Sequence, residues 1–173
     1  MMNWLRNSVV ASALLTIVRI YVGWKFLDAG WGKVTGDKAF DSSGFLKGAI
    51  AKSTGDKPSV QEWYGNFLDG FALPNVDLFN FLVQWGELLV GIGLILGTLT
   101  TFAAIMGLLM NFNYVLAGTV SINANLIFLG FFIVAAGFNA GRFGGDYFVI
   151  PFLRSKLLKS SNKQNSPGVG LQG

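Results

Sequence analysis

Apolar residues are concentrated in four segments of the chain, at about residues 9–29, 78–96, 100–116 and 123–140. A helix that crosses the hydrocarbon core of a bilayer needs about 20 mainly apolar residues. Inside lipid, a single segment can satisfy its own backbone hydrogen bonds only as a helix. The pattern therefore predicts an all-α membrane protein with four transmembrane helices. The small-residue triplet at 11–13 follows too few apolar residues to end a signal peptide, so the first segment is expected to remain as a span.

The connections between these segments predict how the helices are arranged. Residues 97–100 and 117–125 are short links, which favour antiparallel neighbours and hence an up-down bundle. Residues 31–77 form a much longer first loop, in which acidic and basic side chains almost balance. Glycines that recur about seven residues apart, such as Gly23 and Gly30, are expected to let the helices approach closely.

The long loop is predicted to contain two short helices, at about 42–51 and 59–71. Ser59 and Glu62 have the spacing of a capping box at the start of the second helix. An apolar stripe then recurs every fourth residue, at Trp63, Phe67 and Phe71. We therefore expect the loop to form an interfacial cap over the mouth of the bundle.

Composition agrees with a polytopic membrane protein and limits its chemistry. Of the 173 residues, 52% are hydrophobic and 13% are charged, and the mean hydropathy is +0.52. The chain has no cysteine and no histidine, which excludes a dithiol relay, an Fe–S centre, a histidine-ligated haem and a Cys/His zinc site within it. A redox role would therefore need a bound organic cofactor or a partner subunit. No metal and no nucleic-acid partner is expected.

Basic residues near the ends of the spans predict the orientation of the chain. Arg6 precedes the first span, and a basic group follows the fourth: Arg142, Arg154, Lys156, Lys159 and Lys163. The positive-inside rule then places both termini in the cytoplasm and the long loop outside, in a multi-pass protein of the plasma (inner) membrane. Residues 147–161 are predicted to be an amphipathic cytoplasmic segment, and 162–173 a disordered tail.

Two charged residues lie near the middle of predicted spans. Arg19 is in the first span and Glu87 is about halfway along the second. A charge at that depth is costly unless another group in the protein receives it, so each is expected to be the counter-ion of the other.

Further polar and aromatic residues are expected to line a pocket beside this pair: Lys25, Asp28, Gln84, Trp85, Asn111 and Asn113. Two interpretations stay open. The Arg19–Glu87 pair can fix helix register, although a buried pair is weak evidence of stability. Alternatively, the donors and aromatic walls can bind a flat polar ring such as a quinone head group.

Three short blocks occur in the order that is typical of a known family. Residues 19–23 read RIYVG, residues 87–91 read ELLVG, and residues 141–146 read GRFGGD. Together with Gly30 and Lys33, they resemble the DoxX/DoxD family of small four-helix membrane proteins. The resemblance extends over most of 10–146 and implies one domain, 1–146, with a long first loop.

The resemblance also implies functions. In this family, DoxD is the large membrane subunit of thiosulfate:quinone oxidoreductase and works with a separate DoxA subunit. Other members are linked to membrane complexes that contain a sulfurtransferase and a superoxide dismutase. By position, Arg19, Glu87, Arg142 and Asp146 match the charged residues of the family pattern. The last two are four residues apart and can form a local salt bridge or anchor the chain at the membrane surface.

The main hypothesis is a quinone-interacting membrane subunit of an oxidoreductase that acts on thiosulfate or a related sulfur or thiol species. Arg19 and Glu87 would be its catalytic residues, and the quinone would be menaquinone or ubiquinone. The alternative is a non-catalytic scaffold that holds redox or oxidative-stress enzymes at the bilayer. A small-solute transporter is disfavoured, because the sequence shows no inverted repeat and no broken helix. A DoxA-like, sulfurtransferase or superoxide dismutase partner, or a homo-oligomer, is compatible with either role.

Overall fold

All regular structure in the computed structural model is helical over residues 1–164, the part of the chain that it describes. Side chains are described through residue 156. The helices are α1 (Met2–Asn7), α2 (Val9–Thr35), α3 (Ser43–Ala51), α4 (Glu62–Phe67) with a π-helical turn (Leu68–Ala72), α5 (Val76–Leu96), α6 (Thr100–Leu116), α7 (Asn123–Ala136), α8 (Phe138–Gly141) and α9 (Asp146–Gln164).

Two of these helices, α2 and α5, are long and apolar enough to cross a membrane by length and composition. The helices α6 and α7 are also apolar but shorter, with 17 and 14 residues. The predicted all-helical class is confirmed for the described residues. That α6 and α7 also cross the bilayer stays a prediction.

Helices α2 and α5 are antiparallel and pack with their backbones in close contact. A Cβ atom added at Gly30 would lie 2.5 Å from the Leu88 nitrogen, and one at Gly91 would lie 2.5 Å from the Leu27 nitrogen. Such distances leave no space for a side chain, so glycine is what lets the two backbones approach. The packing role predicted for the glycines is therefore correct at Gly30.

The remaining long helices complete a bundle around an apolar core. Helix α6 packs against both α5 and α7, and α7 also contacts α2. The core side chains come from all four helices and include Phe26, Val90, Leu94, Ala104 and Ile133. Leu94 and Ile133 have no exposed surface. At the level of Leu94 and Ile133, the interior of the bundle is therefore packed and is not an open channel.

The segment between α2 and α5 is a structured cap with its own small core. Buried residues from α3, α4, the π-helical turn and the link before α4 pack together with Ala117, which directly follows α6: Leu46, Ala49, Val60, Tyr64, Leu68 and Ala72. Two polar contacts tie this cap to the bundle. Ser42 donates hydrogen bonds from its nitrogen and Oγ to Asn80 Oδ1, both 2.7 Å long. Tyr64 donates to Asn113 Oδ1 at 2.9 Å, and burial raises the pKa of this tyrosine.

Three expectations about local structure are wrong. Ser59 does not cap α4: the helix begins at Glu62 after Gln61, and its N-terminus has no side-chain cap. The segment after Asp146 is helical through Gln164, so the helix continues past the predicted boundary at 161. Its first two turns, from Tyr147 to Leu153, are also not amphipathic, because apolar side chains occupy every direction around them. The rest of the predicted disordered tail, 165–173, lies outside the described residues.

We predict that Gly30→Ala destabilises the protein by about 1–3 kcal/mol, because the new methyl group would overlap the backbone of α5. Gly32→Ala is the matched control in the same helix, where an added Cβ meets nothing within 4 Å. Alanine favours a helix over glycine, so the control is expected to be neutral or slightly stabilising. Thermal unfolding midpoints in the same detergent would test this, and equal losses in both variants would contradict it.

Candidate functional site

The buried Arg19 side chain binds backbone carbonyls and not an acidic side chain. It is 2% exposed. Its Nη1 donates to the carbonyls of Leu94 at 2.7 Å and Ile95 at 3.2 Å, and its Nη2 donates to Phe143 O at 2.8 Å. Two of these acceptors lie in the last turn of α5, where carbonyls lack partners within the helix. Arg19 therefore caps the C-terminus of α5 and neutralises the negative end of its dipole.

The carboxylate of Asp146 caps the N-terminus of the next helix, α6. Its Oδ1 accepts a hydrogen bond from the Leu99 nitrogen at 2.6 Å, and its Oδ2 accepts one from the Thr100 nitrogen at 2.9 Å. These nitrogens belong to the N-cap residue and the first residue of α6, whose positive end favours an anion. The salt bridge to Arg142 that was considered from the sequence is not formed, because both carboxylate oxygens are engaged with α6.

These contacts form one unit, which we call the Arg19 junction: Arg19, Asp146, the turn 97–99 and the link 142–145. Gly97 has a positive φ of 65°, and its Cα faces the Arg19 guanidinium closely enough that a Cβ would overlap it. The Asp146 nitrogen donates to Gly97 O at 2.7 Å, and the two opposite charges attract each other across this turn. Within the described chain, Arg19 Nε and Thr100 Oγ1 are buried without a hydrogen-bond partner.

Glu87 belongs to a separate group of polar side chains, which we call the Glu87 cluster: Glu87, Lys33 and Tyr114. Glu87 is 4% exposed, and its Oε2 lies 2.5 Å from Lys33 Nζ. Its Oε1 accepts a hydrogen bond from Tyr114 Oη at 2.7 Å. Lys33 also donates to the Ala29 carbonyl at 3.3 Å. A buried carboxylate is thus held between an ammonium and a phenol.

Aromatic side chains from the cap cover this cluster. The Phe40 ring centre lies 5.5 Å from Lys33 Nζ, in a cation–π arrangement. The ring of Phe45 on α3 meets the Tyr114 ring edge-on, with centroids 6.1 Å apart. Lys33 keeps a side-chain exposure of 25%, whereas Glu87 is almost fully enclosed. The cluster therefore lies under the cap, and solvent reaches it on the lysine side.

The predicted ion pair between Arg19 and Glu87 is wrong. The Arg19 guanidinium lies beside Gly97, at the end of α5. Glu87 lies ten residues earlier in α5, and ten helical residues correspond to about 15 Å along the helix. The prediction assumed that each charge was at mid-depth because each was near the middle of an apolar segment. Helix α2 instead continues to Thr35, so the end of α2, and not its centre, lies opposite Glu87.

The residues predicted to line a common pocket are dispersed. Lys25 and Asp28 lie on the outer face of α2, and Trp85 is 40% exposed on α5. Asn113 is engaged with Tyr64 of the cap, and Gln84 is partly buried one turn from Glu87. The structure therefore does not gather them around one ligand.

Asn111 is buried in the apolar core of the bundle. It is 2% exposed and lines a cavity of about 10 Å³, together with Phe26, Leu94 and Leu126. This volume is close to the least that one water molecule needs. The cavity is far too small for a quinone ring, so Asn111 has a local role in the core.

Sequence reasoning missed Lys33 as the partner of Glu87. Lys33 falls within the predicted loop, 31–77, whereas α2 includes it in its last turn. A signal was present: Gly30, Lys33 and Glu87 all belong to the family blocks, and a buried acid needs a cation. Tyr114, the other partner of Glu87, is also not among the residues predicted for the site.

We predict that Arg19→Lys destabilises the protein by roughly 1.5–3 kcal/mol, because one ammonium cannot replace a guanidinium that joins α5 to the Phe143 carbonyl. Arg6→Lys is the control, since Arg6 is exposed and donates to a single carbonyl, that of Ala135. Its expected effect is within about 0.5 kcal/mol. Chemical or thermal unfolding in detergent measures both, and a stable Arg19→Lys variant would contradict the capping role.

Comparison with known proteins supports the family resemblance. The family model described as DoxX matches residues 14–140, a range that contains Arg19, both glycines of the α2–α5 contact and the whole Glu87 cluster. No curated protein and no solved structure matches the chain. Because the family model covers well over half of the sequence, the chain belongs to the DoxX family of membrane proteins.

Proposed function

We propose that this protein is the quinone-interacting membrane subunit of an oxidoreductase, and that the Glu87 cluster is its quinone-binding site. The electron donor would be thiosulfate or a related sulfur or thiol species, delivered by a separate subunit. The observation that carries the proposal is a buried carboxylate bonded to both Lys33 and Tyr114. Arg19, the other residue expected to be catalytic, is instead assigned to helix capping.

The donor set of the cluster suits a quinone head group. Lys33 Nζ has three N–H donors, and it uses one on Glu87 and one on the Ala29 carbonyl. One donor is therefore left for a carbonyl oxygen. The rings of Phe40 and Phe45 offer apolar surfaces beside the polar atoms, which is the usual composition of a small-molecule site.

The residues also provide a way to move protons. A quinone takes up two electrons and two protons when it is reduced to the quinol. Glu87 Oε2 and Lys33 Nζ share a short hydrogen bond, so a proton can pass between them without a large movement. Lys33 is also the member of the cluster that solvent reaches, and it would exchange the proton with water.

The proposed topology places this site in the outer half of the membrane. We propose that α2, α5, α6 and α7 all cross the plasma membrane, with both termini in the cytoplasm. The contacts of Arg6 with Ala135 and of Asn139 with Leu5 support this, because they hold the N-terminus beside the end of α7. The cap and the Glu87 cluster would then face outwards, where a periplasmic or external electron donor reaches them.

We predict that Glu87→Gln weakens binding of a menaquinone analogue about ten-fold or more. The amide keeps an acceptor for Tyr114 but removes the charge that holds Lys33 in place. Isothermal titration calorimetry on the purified protein in detergent would measure the affinity. Unchanged affinity would remove the proposed role of Glu87.

Glu62→Gln is the matched control, because Glu62 is an exposed glutamate at the start of α4 with no ion pair in the described chain. It should bind the analogue like the wild type. Tyr114→Phe removes only the phenol hydroxyl, so its effect should be smaller than that of Glu87→Gln. A thermal midpoint for each variant separates a loss of binding from a loss of folding.

A further inference from the structure

One face of α2 carries two charges that nothing else in the described chain neutralises. Asp28 is exposed, and Lys25 is half-buried on the same side of the helix. Lys25 Nζ lies 5.9 Å from the centre of the Tyr21 ring. Among side chains described through residue 156, the only ion pair is Lys33–Glu87, so Lys25 and Asp28 pair neither with each other nor with another residue.

These charges lie within the span and not at its ends. Leu27 is in backbone contact with Gly91, which is five residues before the end of α5 at Leu96. Asp28 is therefore level with the interior of α5, the other helix that is long and apolar enough to cross a membrane. Lys25 is one turn away along α2, nearer to the Arg19 junction.

Charged side chains at this depth rarely face lipid. Lysine and aspartate side chains are both strongly unfavourable in hydrocarbon, and within spans they nearly always face protein or a water-filled cavity. The opposite side of α2 is already used, since Val22, Phe26 and Gly30 are buried against the bundle. The Lys25–Asp28 face is therefore expected to be covered by another protein surface.

The rest of the face is also suited to a protein contact. Tyr21, Trp24 and Trp31 lie on it and are 45%, 58% and 60% exposed. Trp24 follows Tyr21 by three residues, Trp31 follows Trp24 by seven, and Asp28 lies between the two tryptophans. These spacings put all four on one stripe along the helix.

The two charges are complementary to a second copy of themselves. Copies of one chain have the same orientation in a membrane, and a two-fold axis along the membrane normal brings identical faces together. Lys25 and Asp28 then differ in height by three residues, or about 4.5 Å, which a lysine side chain can span. Each Lys25 would meet the Asp28 of the other copy, which gives two reciprocal ion pairs.

We propose that the protein forms a symmetric dimer through this face of α2, held by reciprocal Lys25–Asp28 ion pairs between two copies. The aromatic residues Tyr21, Trp24 and Trp31 pack around the pairs and keep lipid away from them. The proposal is independent of quinone binding, because these residues lie on the opposite side of α2 from Gly30 and the α5 contact.

Charge reversal tests the ion pairs. Lys25→Asp or Asp28→Lys alone places like charges opposite each other, whereas the double variant Lys25→Asp/Asp28→Lys restores two opposite-charge pairs. Förster transfer between donor-labelled and acceptor-labelled copies in liposomes would give the dimer dissociation constant. Each single variant should weaken the dimer about ten-fold or more, and the double variant should recover most of the loss.

Lys38→Asp is the control, because Lys38 is an exposed residue of the loop and should not change dimerisation. Wild-type protein that stays monomeric at all protein-to-lipid ratios would overturn the proposal and indicate that a different chain covers this face. So would single reversals that leave the dissociation constant unchanged.

Cross-linking locates the interface independently of charge. The native chain has no cysteine, so a single introduced cysteine reports one position. Trp24→Cys should form a disulfide-linked dimer in oxidised membranes. Phe128→Cys, on α7 and 63% exposed, should not. Equal cross-linking at both positions would show random collision and would contradict an interface on α2.

Discussion

The fold depends on one guanidinium that binds carbonyl oxygens at a helix end. Arg19 satisfies the last turn of α5 and the Phe143 carbonyl, so one side chain connects α2, α5 and the link before α9. A helix that ends inside a bundle has carbonyls that water cannot reach, and each would be costly if left unpaired. The cation removes this cost and allows α5 to turn into α6 over only a few residues.

Asp146 completes the same arrangement with the opposite sign. Its two oxygens accept hydrogen bonds from the Leu99 and Thr100 nitrogens at the N-terminus of α6, beside the turn whose other side Arg19 occupies. A positive group at a helix C-terminus and a negative group at the next N-terminus are each favoured by the helix dipole. The charged residues at the two ends of the family pattern thus have a structural explanation that does not involve a ligand.

Glu87 differs from both, because no helix end requires it. It lies within α5, where a carboxylate destabilises the apolar core unless a partner receives it. Lys33 and Tyr114 are those partners, and the cap adds aromatic rings above them. Because solvent also reaches this cluster on the lysine side, it is where we propose that chemistry takes place.

The charged residues on the exposed face of α2 also have no role at a helix end, and they lie outside the bundle. Lys25 and Asp28 interrupt a surface that is otherwise aliphatic and aromatic, and they contribute nothing to the core of one copy. We therefore propose two distinct roles for these charges: the Glu87 cluster binds a small molecule, and the α2 face contacts a second protein surface.

The sequence by itself determined the helical class, the positions of the long helices and the two short helices of the cap, because these depend on runs and periods of apolar residues. It also determined that Gly30 lies at a close helix contact, since small residues at regular spacing have few other uses. It did not determine which group each buried charged side chain contacts. Pairing depends on the register of α2 against α5, and Gly30 and Gly91 set that register through backbone contacts that do not follow from the lengths of the apolar segments. Only the tertiary structure could therefore assign Arg19 to carbonyls and Glu87 to Lys33, because a shift of a few residues along a helix moves a charge by a full turn.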